Sequence, residues 1–232
     1  MAIEFGDPSG VRLRAAAPAA SRSAVVAGGT GLVGGILLQL LGRDAQYRRV
    51  TSFVRREVPA PPGVALQQVD FERLDELVLP EVDDAFCCLG TTRRAAGSAA
   101  AFRRVDLEYV VAFARLAKRA GALRFLLVSS LGASPRSPFL YPRTKGECEA
   151  AIEAIGFTTV VILRPSFLIG DRAEGRLGES VALGAARLIR PLLVGPLRRY
   201  APADATAVAR TLVRAAASAP AGVTVVESDR IR

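Results

Sequence analysis

The feature that most constrains the fold is a strand-like apolar run that leads directly into a glycine-rich turn. Ala24–Ala27 contains two valines and no polar side chain, which is typical of a strand covered on both faces. Gly28, Gly31 and Gly34 follow with the spacing G-x-x-G-x-x-G. Glycine permits a sharp exit from the strand, close approach of a ligand to the backbone, and close packing of the next helix. The stretch therefore predicts a strand–turn–helix unit, either a plain tight turn or a variant of the dinucleotide-binding fingerprint.

Strand-like and helix-like segments alternate along the rest of the chain. Such alternation predicts right-handed βαβ units and a parallel sheet. We therefore predict an α/β fold with a single parallel sheet. The predicted strands are 23–27, 49–55, 65–69, 84–89, 124–130, 158–164 and 222–227, and the predicted helices are 32–42, 74–78, 98–120, 141–155, 181–189 and 203–217.

The length of 232 residues fits one domain with a small appendage. Residues 1–22 have no continuous apolar run and are predicted to be a disordered arm or a remnant outside the fold. Residues 23–232 then form the predicted domain. No run of about 18 apolar residues occurs, so we predict no integral membrane segment.

The net charge of +9 comes mostly from arginines that are scattered along the chain. Scattered basic residues argue against nucleic acid as a partner, because a nucleic-acid site needs a clustered basic face. The basic segment 187–199 mixes arginines with leucines and raises an anionic membrane surface as an alternative, but prolines interrupt any long amphipathic helix there. A phosphorylated small molecule remains the favoured anion.

Cysteine and histidine usage limits the chemistry. Cys87 and Cys88 are predicted to lie on opposite faces of a strand, and with Cys148 they show no metal-ligand spacing, so no metal site is predicted. Few cysteines favour a reducing compartment, and we predict a cytoplasmic location. Because the chain contains no histidine, an acid–base group must be Tyr, Lys, Cys or a carboxylate.

The ends of three predicted strands carry candidate cofactor residues. Arg55 and Arg56 end the second strand, where an acidic residue would bind the ribose 2′-hydroxyl of NAD and an arginine the 2′-phosphate of NADP. The two arginines therefore favour NADP(H), with NAD(H) as the alternative. Asp70 and Phe71 follow the third strand and are predicted to flank the adenine ring. Gly90, after the fourth strand, lets the backbone approach a cofactor.

A tyrosine and a lysine four residues apart form the clearest catalytic candidate. Tyr141 and Lys145 share one face of a predicted helix, downstream of Ser129 and Ser130 at a strand end. An ammonium beside a phenol favours the phenolate, so the tyrosine could exchange a proton with a substrate oxygen. A serine hydroxyl would orient and polarise that oxygen. Lys145 could also donate a hydrogen bond to the nicotinamide ribose.

This combination resembles the short-chain dehydrogenase/reductase superfamily over essentially all of 23–232. Finer details resemble an atypical NADPH-binding branch, the Tat-interacting-protein-like oxidoreductases. They are the segments 88–93, 96–98, 102–110, 128–133, 139–141 and 164–165. The resemblance implies a single Rossmann-type doubly wound parallel sheet with a small C-terminal substrate-binding portion. Residues 23–232 would form this NAD(P)-binding domain, with a substrate-pocket segment at 166–202. It also implies a Ser-Tyr-Lys site made of Ser130, Tyr141 and Lys145. Asp106 departs from the pattern, because many members have an asparagine there that serves a proton relay.

The predicted cofactor-binding residues surround the glycine turn and the strand ends. They are Gly28, Thr30, Gly31, Leu32, Val33, Gly34, Arg55, Arg56, Asp70, Phe71, Leu89, Gly90, Thr91, Ser129, Tyr141, Lys145, Arg164 and Pro165.

The leading functional hypothesis is an NADP(H)-dependent oxidoreductase that transfers a hydride to or from a small carbonyl or alcohol substrate. Two alternatives stay open: an epimerase or dehydratase on the same fold, and a dinucleotide-binding regulatory or scaffold protein with little turnover. The predicted partner of the protein is a small-molecule substrate. A monomer and a homodimer are both compatible with the sequence.

Overall fold

Nine strands and six α-helices make up the part of the chain that this computed structural model describes, residues 22–169 and 199–232. The strands are β1 (Arg22–Ala27), β2 (Tyr47–Val54), β3 (Ala65–Gln68), β4 (Asp84–Cys87), β5 (Arg124–Val128), β6 (Thr159–Arg164), β7 (Leu168–Ile169), β8 (Ala203–Asp204) and β9 (Gly222–Glu227). The helices are α1 (Leu32–Leu41), α2 (Arg93–Ala96), α3 (Ala99–Arg103), α4 (Tyr109–Arg119), α5 (Leu140–Ala154) and α6 (Ala205–Ser218).

Seven of the strands form one parallel sheet in the order β3-β2-β1-β4-β5-β6-β9, and β7 pairs with β8 separately. The chain winds outward from β1 in both directions, so the strand order reverses between β1 and β4. Ligands of open α/β sheets bind outside the carboxyl ends of the strands at such a reversal. The predicted fold class, a doubly wound Rossmann-type sheet, is confirmed.

Apolar helix faces cover both sides of the sheet. On one side, α1 and α6 pack against Val26, Phe86 and Leu163, and on the other side α4 and α5 pack against Val25 and Phe125. Because β1, β5 and β6 are buried on both faces, their sequences are continuous apolar runs rather than alternating ones.

Two predicted helices differ from the structure. The short helix expected at 74–78 is a 3₁₀ helix at Phe71–Glu76, because the Asp70 carboxylate accepts a hydrogen bond from the Glu72 N–H and starts the helix earlier. The helix expected at 98–120 contains a π-helical turn at Arg104–Glu108 between α3 and α4. The helix predicted at 181–189 and most of the substrate-pocket segment 166–202 lie outside the described residues.

Candidate active site

The glycine turn between β1 and α1 is closed so tightly that two of its glycines are sterically required. Gly28 has a φ of +85°, and a Cβ there would overlap the backbone of Cys88 at the end of β4. A Cβ at Gly34 would overlap the carbonyl oxygen of Gly28. The Gly31 N–H donates to the same carbonyl at 3.0 Å, which closes the turn. The first turn of α1 therefore lies directly against the end of β1.

Gly29, the second glycine of the turn, is closely packed without being sterically required. A Cβ there would lie 2.6 Å from Leu38 Cδ1 and would overlap the hydroxyl of Ser52 on β2, but both atoms are ends of side chains that can move aside.

The N-terminus of α1 is open to an anion. Gly31 is the N-cap and provides no side chain to accept hydrogen bonds from the first turn, which begins at Leu32. Three other helices, α2, α3 and α6, are instead capped by the side chains of Thr92, Ser98 and Asp204. The first N–H groups of a helix lack partners within the helix and carry a partial positive charge. Thr30 and Gly31 are exposed, so a phosphate group can reach these N–H groups.

A cleft of about 360 Å³ opens at the carboxyl ends of β2 and β3. It is lined by Arg55, Gln68, Val69, Asp70, Phe71 and Tyr109. Arg55 is exposed, so its guanidinium can face a ligand in the cleft. Three residues predicted to bind the adenosine end of a cofactor, Arg55, Asp70 and Phe71, are therefore together, whereas Arg56 is exposed and does not line the cleft.

Tyr109, which forms one wall of this cleft, was quoted in the sequence analysis only within a matching segment. Its ring centroid lies 5.7 Å from that of Phe71, and its hydroxyl donates to Glu72 Oε1 at 2.5 Å. Partial burial, together with the hydrogen bond to the Glu72 carboxylate, raises the pKa of Tyr109 to about 12. The phenol thus stays protonated near neutral pH and keeps the wall in place.

A buried ion pair lies under the loop that follows β4. Lys145 Nζ, on α5, is 2.7 Å from Asp106 Oδ1, and Asp106 Oδ2 accepts a hydrogen bond from the Thr91 N–H at 2.8 Å. The Asp106 side chain is fully buried and that of Lys145 is 6% exposed. A Cβ at Gly90 would lie 3.4 Å from Asp106 Oδ1 and 3.6 Å from Lys145 Nζ. Gly90 therefore covers the pair without a side chain.

The charge of Lys145 is set by two opposing effects. Burial alone would lower the pKa of the Lys145 ammonium, but the charge of Asp106, with smaller contributions from Tyr141 and an Asp106 hydrogen bond, outweighs it. The net result is that the pKa of Lys145 lies above its ordinary value, so the ammonium stays charged throughout the neutral range.

Tyr141 is the exposed member of the tyrosine–lysine pair. Its ring stacks on that of Phe102, with the centroids 5.5 Å apart and the ring planes at 30°. Phe102 is fully buried on α3, so it gives the tyrosine a fixed support. The Tyr141 side chain remains 42% exposed and can meet a ligand from the solvent side.

The two serines after β5 have different surroundings. Ser129 is buried and donates its hydroxyl to the Glu149 carboxylate at 2.5 Å. Ser130 is half-buried, and its hydroxyl makes a single long contact of 3.5 Å with the Leu131 carbonyl among the described residues. Ser130 is therefore the serine whose hydroxyl is available to a ligand.

Arg164 belongs to the same buried network as Ser129. It donates from Nε to Glu149 Oε1 at 3.0 Å and from Nη1 to Glu227 Oε1 at 3.1 Å. These bonds, with the Glu149 contacts first, raise the pKa of Arg164. The guanidinium thus joins α5 to the ends of β6 and β9. Pro165 is buried beside it, and its carbonyl accepts the Leu131 N–H at 2.9 Å.

The cysteines are packed as apolar side chains. Cys87 belongs to the core on the α4 and α5 side of the sheet, and Cys88 packs against the core on the other side, as predicted. Burial raises the pKa of the Cys87 and Cys148 thiols to about 12. These thiols therefore stay protonated and unreactive near neutral pH.

The fold and the open glycine turn define the chain as a Rossmann-type protein, and solved structures agree. The human epimerase family protein SDR39U1 with NADPH superposes with a TM-score of 0.62 at 21% identity, covering 88% of this chain and 76% of that one. MoeE5 in complex with UDP-glucose and NAD gives a TM-score of 0.65 at 19% identity, with 88% and 76% covered. At these identities the likeness establishes the fold.

Sequence relatives identify the family. Protein HTATIP2 of Rattus norvegicus is 43% identical over 169 residues, which cover 70% of this chain and 69% of the rat protein. Protein fmp52, mitochondrial, of Aspergillus niger is 34% identical over 219 residues, covering 88% and 91%. The chain therefore belongs to the HTATIP2/FMP52 family of atypical short-chain dehydrogenase/reductase-like proteins, as the resemblance predicted. No protein-family model matches the chain.

The predicted cytoplasmic location is wrong on this comparison. The fungal relatives, including FMP52-1 of Scheffersomyces stipitis at 37% identity, are named as mitochondrial proteins. A reducing environment, which was the basis of the prediction, does not distinguish one intracellular compartment from another. Within residues 22–169 and 199–232, no helix is both long and apolar enough to cross a membrane.

Proposed function

We propose that this protein is an NADP(H)-dependent oxidoreductase that transfers a hydride to or from a small carbonyl or alcohol substrate. The observation that carries the proposal is the pairing of exposed Tyr141 with buried, charged Lys145. Lys145 lies beneath Gly90, at the carboxyl ends of the central strands, where the glycine turn also lies. Nicotinamide dinucleotides are present in structures that share this fold: SDR39U1 was solved with NADPH and MoeE5 with NAD.

The residues present fit a dinucleotide. The uncapped N-terminus of α1, with Thr30, Gly31, Leu32 and Val33, would hold the pyrophosphate. Arg55 at the cleft beyond β2, with Arg56 next to it, would bind the 2′-phosphate, and Asp70 and Phe71 would flank the adenine. An arginine fork suits a phosphate, and for this reason we expect NADP(H) over NAD(H). The nicotinamide end would lie along Leu89, Gly90, Thr91, Ser129 and Pro165. Arg164, which was also predicted to bind the cofactor, is instead engaged by Glu149 and Glu227.

The protein would supply orientation and proton transfer, while the nicotinamide would supply or accept the hydride. Tyr141 would give its phenolic proton to a carbonyl oxygen, or take one from a hydroxyl. Lys145 would donate a hydrogen bond to the nicotinamide ribose from its fixed position. Ser130 would hold the substrate oxygen with the hydroxyl that it leaves free.

The test is a titration of the purified protein with NADPH and, separately, NADH. We expect NADPH to bind more tightly and Arg55→Glu to weaken NADPH binding by about 10–100-fold, because a carboxylate replaces the phosphate-binding cation. Arg48→Glu is the matched control, since Arg48 is exposed at the opposite end of β2. A carbonyl screen would then compare the wild type with Tyr141→Phe, which we expect to bind NADPH and lose turnover. If neither NADPH nor NADH binds, the proposed function is contradicted.

An epimerase is the second candidate, and the structural neighbours favour it equally. They include UDP-galactose 4-epimerase, which superposes with a TM-score of 0.66. In an epimerase, Tyr141 would remove and return a proton while the cofactor is reoxidised in each cycle. Consumption of NADPH in step with product would favour the reductase, whereas isomerisation of a sugar nucleotide without net consumption would favour the epimerase.

A further inference from the structure

The carboxylate of Asp106 links three segments of the candidate site. One oxygen accepts the Thr91 N–H of the loop after β4, and the other lies against the Lys145 ammonium of α5. Asp106 itself belongs to the π-helical turn between α3 and α4. Both oxygens thus contact groups near the carboxyl end of β4, where the nicotinamide is proposed to bind.

The π-helical turn is an independent sign that this position is specialised. A π turn inserts an extra residue into a helix and occurs frequently at functional sites. Here it spans Arg104–Glu108 and has Asp106 at its centre. Asp106 is fully buried, like Phe102 and Val110 on either side of it. A carboxylate on an otherwise apolar stripe needs a charged partner, and Lys145 provides it.

The titratable groups that face Lys145 show that its charge depends on Asp106. Asp106 faces the ammonium from the π turn, Tyr141 and Cys148 from the same helix α5, and Cys87 from β4. Of these four groups, Asp106 is the carboxylate. Without it, burial would act on the ammonium with little opposition and would favour loss of its proton.

We propose that Asp106 is a positioning residue that fixes Lys145 and the Thr91 backbone relative to each other and balances the buried charge of Lys145, so that the lysine meets a dinucleotide as a charged donor. The proposal rests on the proposed dinucleotide function. Because Gly90 covers the ion pair without a side chain, this donor lies just beneath exposed backbone rather than deep in the core.

Two substitutions separate the two roles of Asp106. Asp106→Asn removes the charge but keeps an oxygen that can accept the Thr91 N–H, whereas Asp106→Ala removes both. Glu108→Gln is the matched control, because Glu108 is on the same π turn, loses the same charge and is exposed.

The first readout is the affinity for NADPH between pH 6 and 9. We expect the wild type and Glu108→Gln to have similar, nearly flat profiles over this range. In Asp106→Asn, affinity should fall toward alkaline pH, by up to about tenfold per pH unit once Lys145 has lost its proton. A purely structural role would lower the melting temperature without changing this profile, so an unchanged profile in Asp106→Asn would overturn the proposal.

The second readout needs no cofactor. Hydrogen exchange at the Thr91 amide should be faster in Asp106→Ala than in Asp106→Asn or the wild type, and equal exchange in all three would refute the positioning role. If the wild type binds no nucleotide, the proposed function fails while this readout still decides the positioning role. If Asp106→Asn does not fold, the double variant Asp106→Asn/Lys145→Met should fold, because it removes both buried charges. Failure of the double variant as well would count against charge balance.

Discussion

Two adjacent glycines in the first turns of α1 should respond in opposite directions to the same substitution. A Cβ at Gly34 would overlap the carbonyl oxygen of Gly28 and lie 2.9 Å from Gly29 Cα, and both of these are backbone atoms that cannot rotate away. A Cβ at Gly35 would lie 3.6 Å from the Gly29 carbonyl oxygen, an ordinary contact. Neither glycine has a positive φ, so alanine is compatible with the backbone at both positions.

The magnitudes follow from two opposing free energies. Alanine in a helix interior is favoured over glycine by about 0.5–1 kcal/mol, since it loses less conformational entropy on folding. Overpacking costs about 1–3 kcal/mol. Gly35→Ala should therefore raise the free energy of unfolding by about 0.5–1 kcal/mol. Gly34→Ala should lower it by up to about 2.5 kcal/mol after the helix contribution is subtracted.

Urea unfolding followed by circular dichroism measures both changes, and thermal unfolding should agree, with about 2–4 °C per kcal/mol for a domain of this size. The nucleotide titration adds a second comparison, because Gly34→Ala displaces the turn and should weaken NADPH binding while Gly35→Ala should not. Shifts of the same sign in both variants would refute the argument that backbone contact, rather than helix propensity, requires Gly34.

Two further predictions concern stability. Above about pH 8.5, where cysteine thiols of the unfolded chain lose their protons, the free energy of unfolding should decrease, because the pKa of the buried Cys148 thiol is raised to about 12 and the folded state retains its proton. The contribution of Cys148 to the free energy of unfolding is fully present below about pH 8.5 and is lost as the pH rises toward 12. Cys148→Ala should therefore make the free energy of unfolding fall less steeply with pH, by up to about 1.4 kcal/mol per pH unit. An unchanged slope in urea titrations at several pH values would contradict this. Asp84 is fully buried between Arg22 and Arg124, so Asp84→Asn should lower the free energy of unfolding by about 3 kcal/mol or more. Asp75 is exposed, so Asp75→Asn should change the free energy of unfolding by less than about 1 kcal/mol. Equal effects in the two variants would contradict the argument that burial makes the Asp84 ion pairs important for stability.

Local patterns were sufficient to predict the fold and the elements on which the candidate site residues lie. The glycine turn, the tyrosine and the lysine each depend on neighbours within a few residues, so their roles in a strand–turn–helix unit and on one helix could be inferred from spacing. Buried parallel strands were equally clear, since they are continuous apolar runs. The predicted final strand at 222–227 has the bounds of β9.

The charge pairs could not be predicted because they join residues far apart in the chain. Nothing in the sequence near Glu149 indicates that its carboxylate meets Ser129 and Arg164. Asp106 was named only as a departure from a pattern, and its burial and its pairing with Lys145 are visible only in the structure. The residue-level roles at the candidate site stay predictions until a nucleotide titration tests them.

Helix α5 has a consequence for how sequences of this family can diverge. It presents two buried charged residues one turn apart, Lys145 and Glu149, and each is neutralised by a residue from another segment, Asp106 and Arg164. A single substitution of Asp106, Lys145 or Arg164 leaves a buried charge without its partner, which is among the more destabilising changes that a core can undergo. Evolution should therefore either preserve each pair or exchange both members together. Within the HTATIP2/FMP52 family, homologues in which only one of these three residues has changed should be rare.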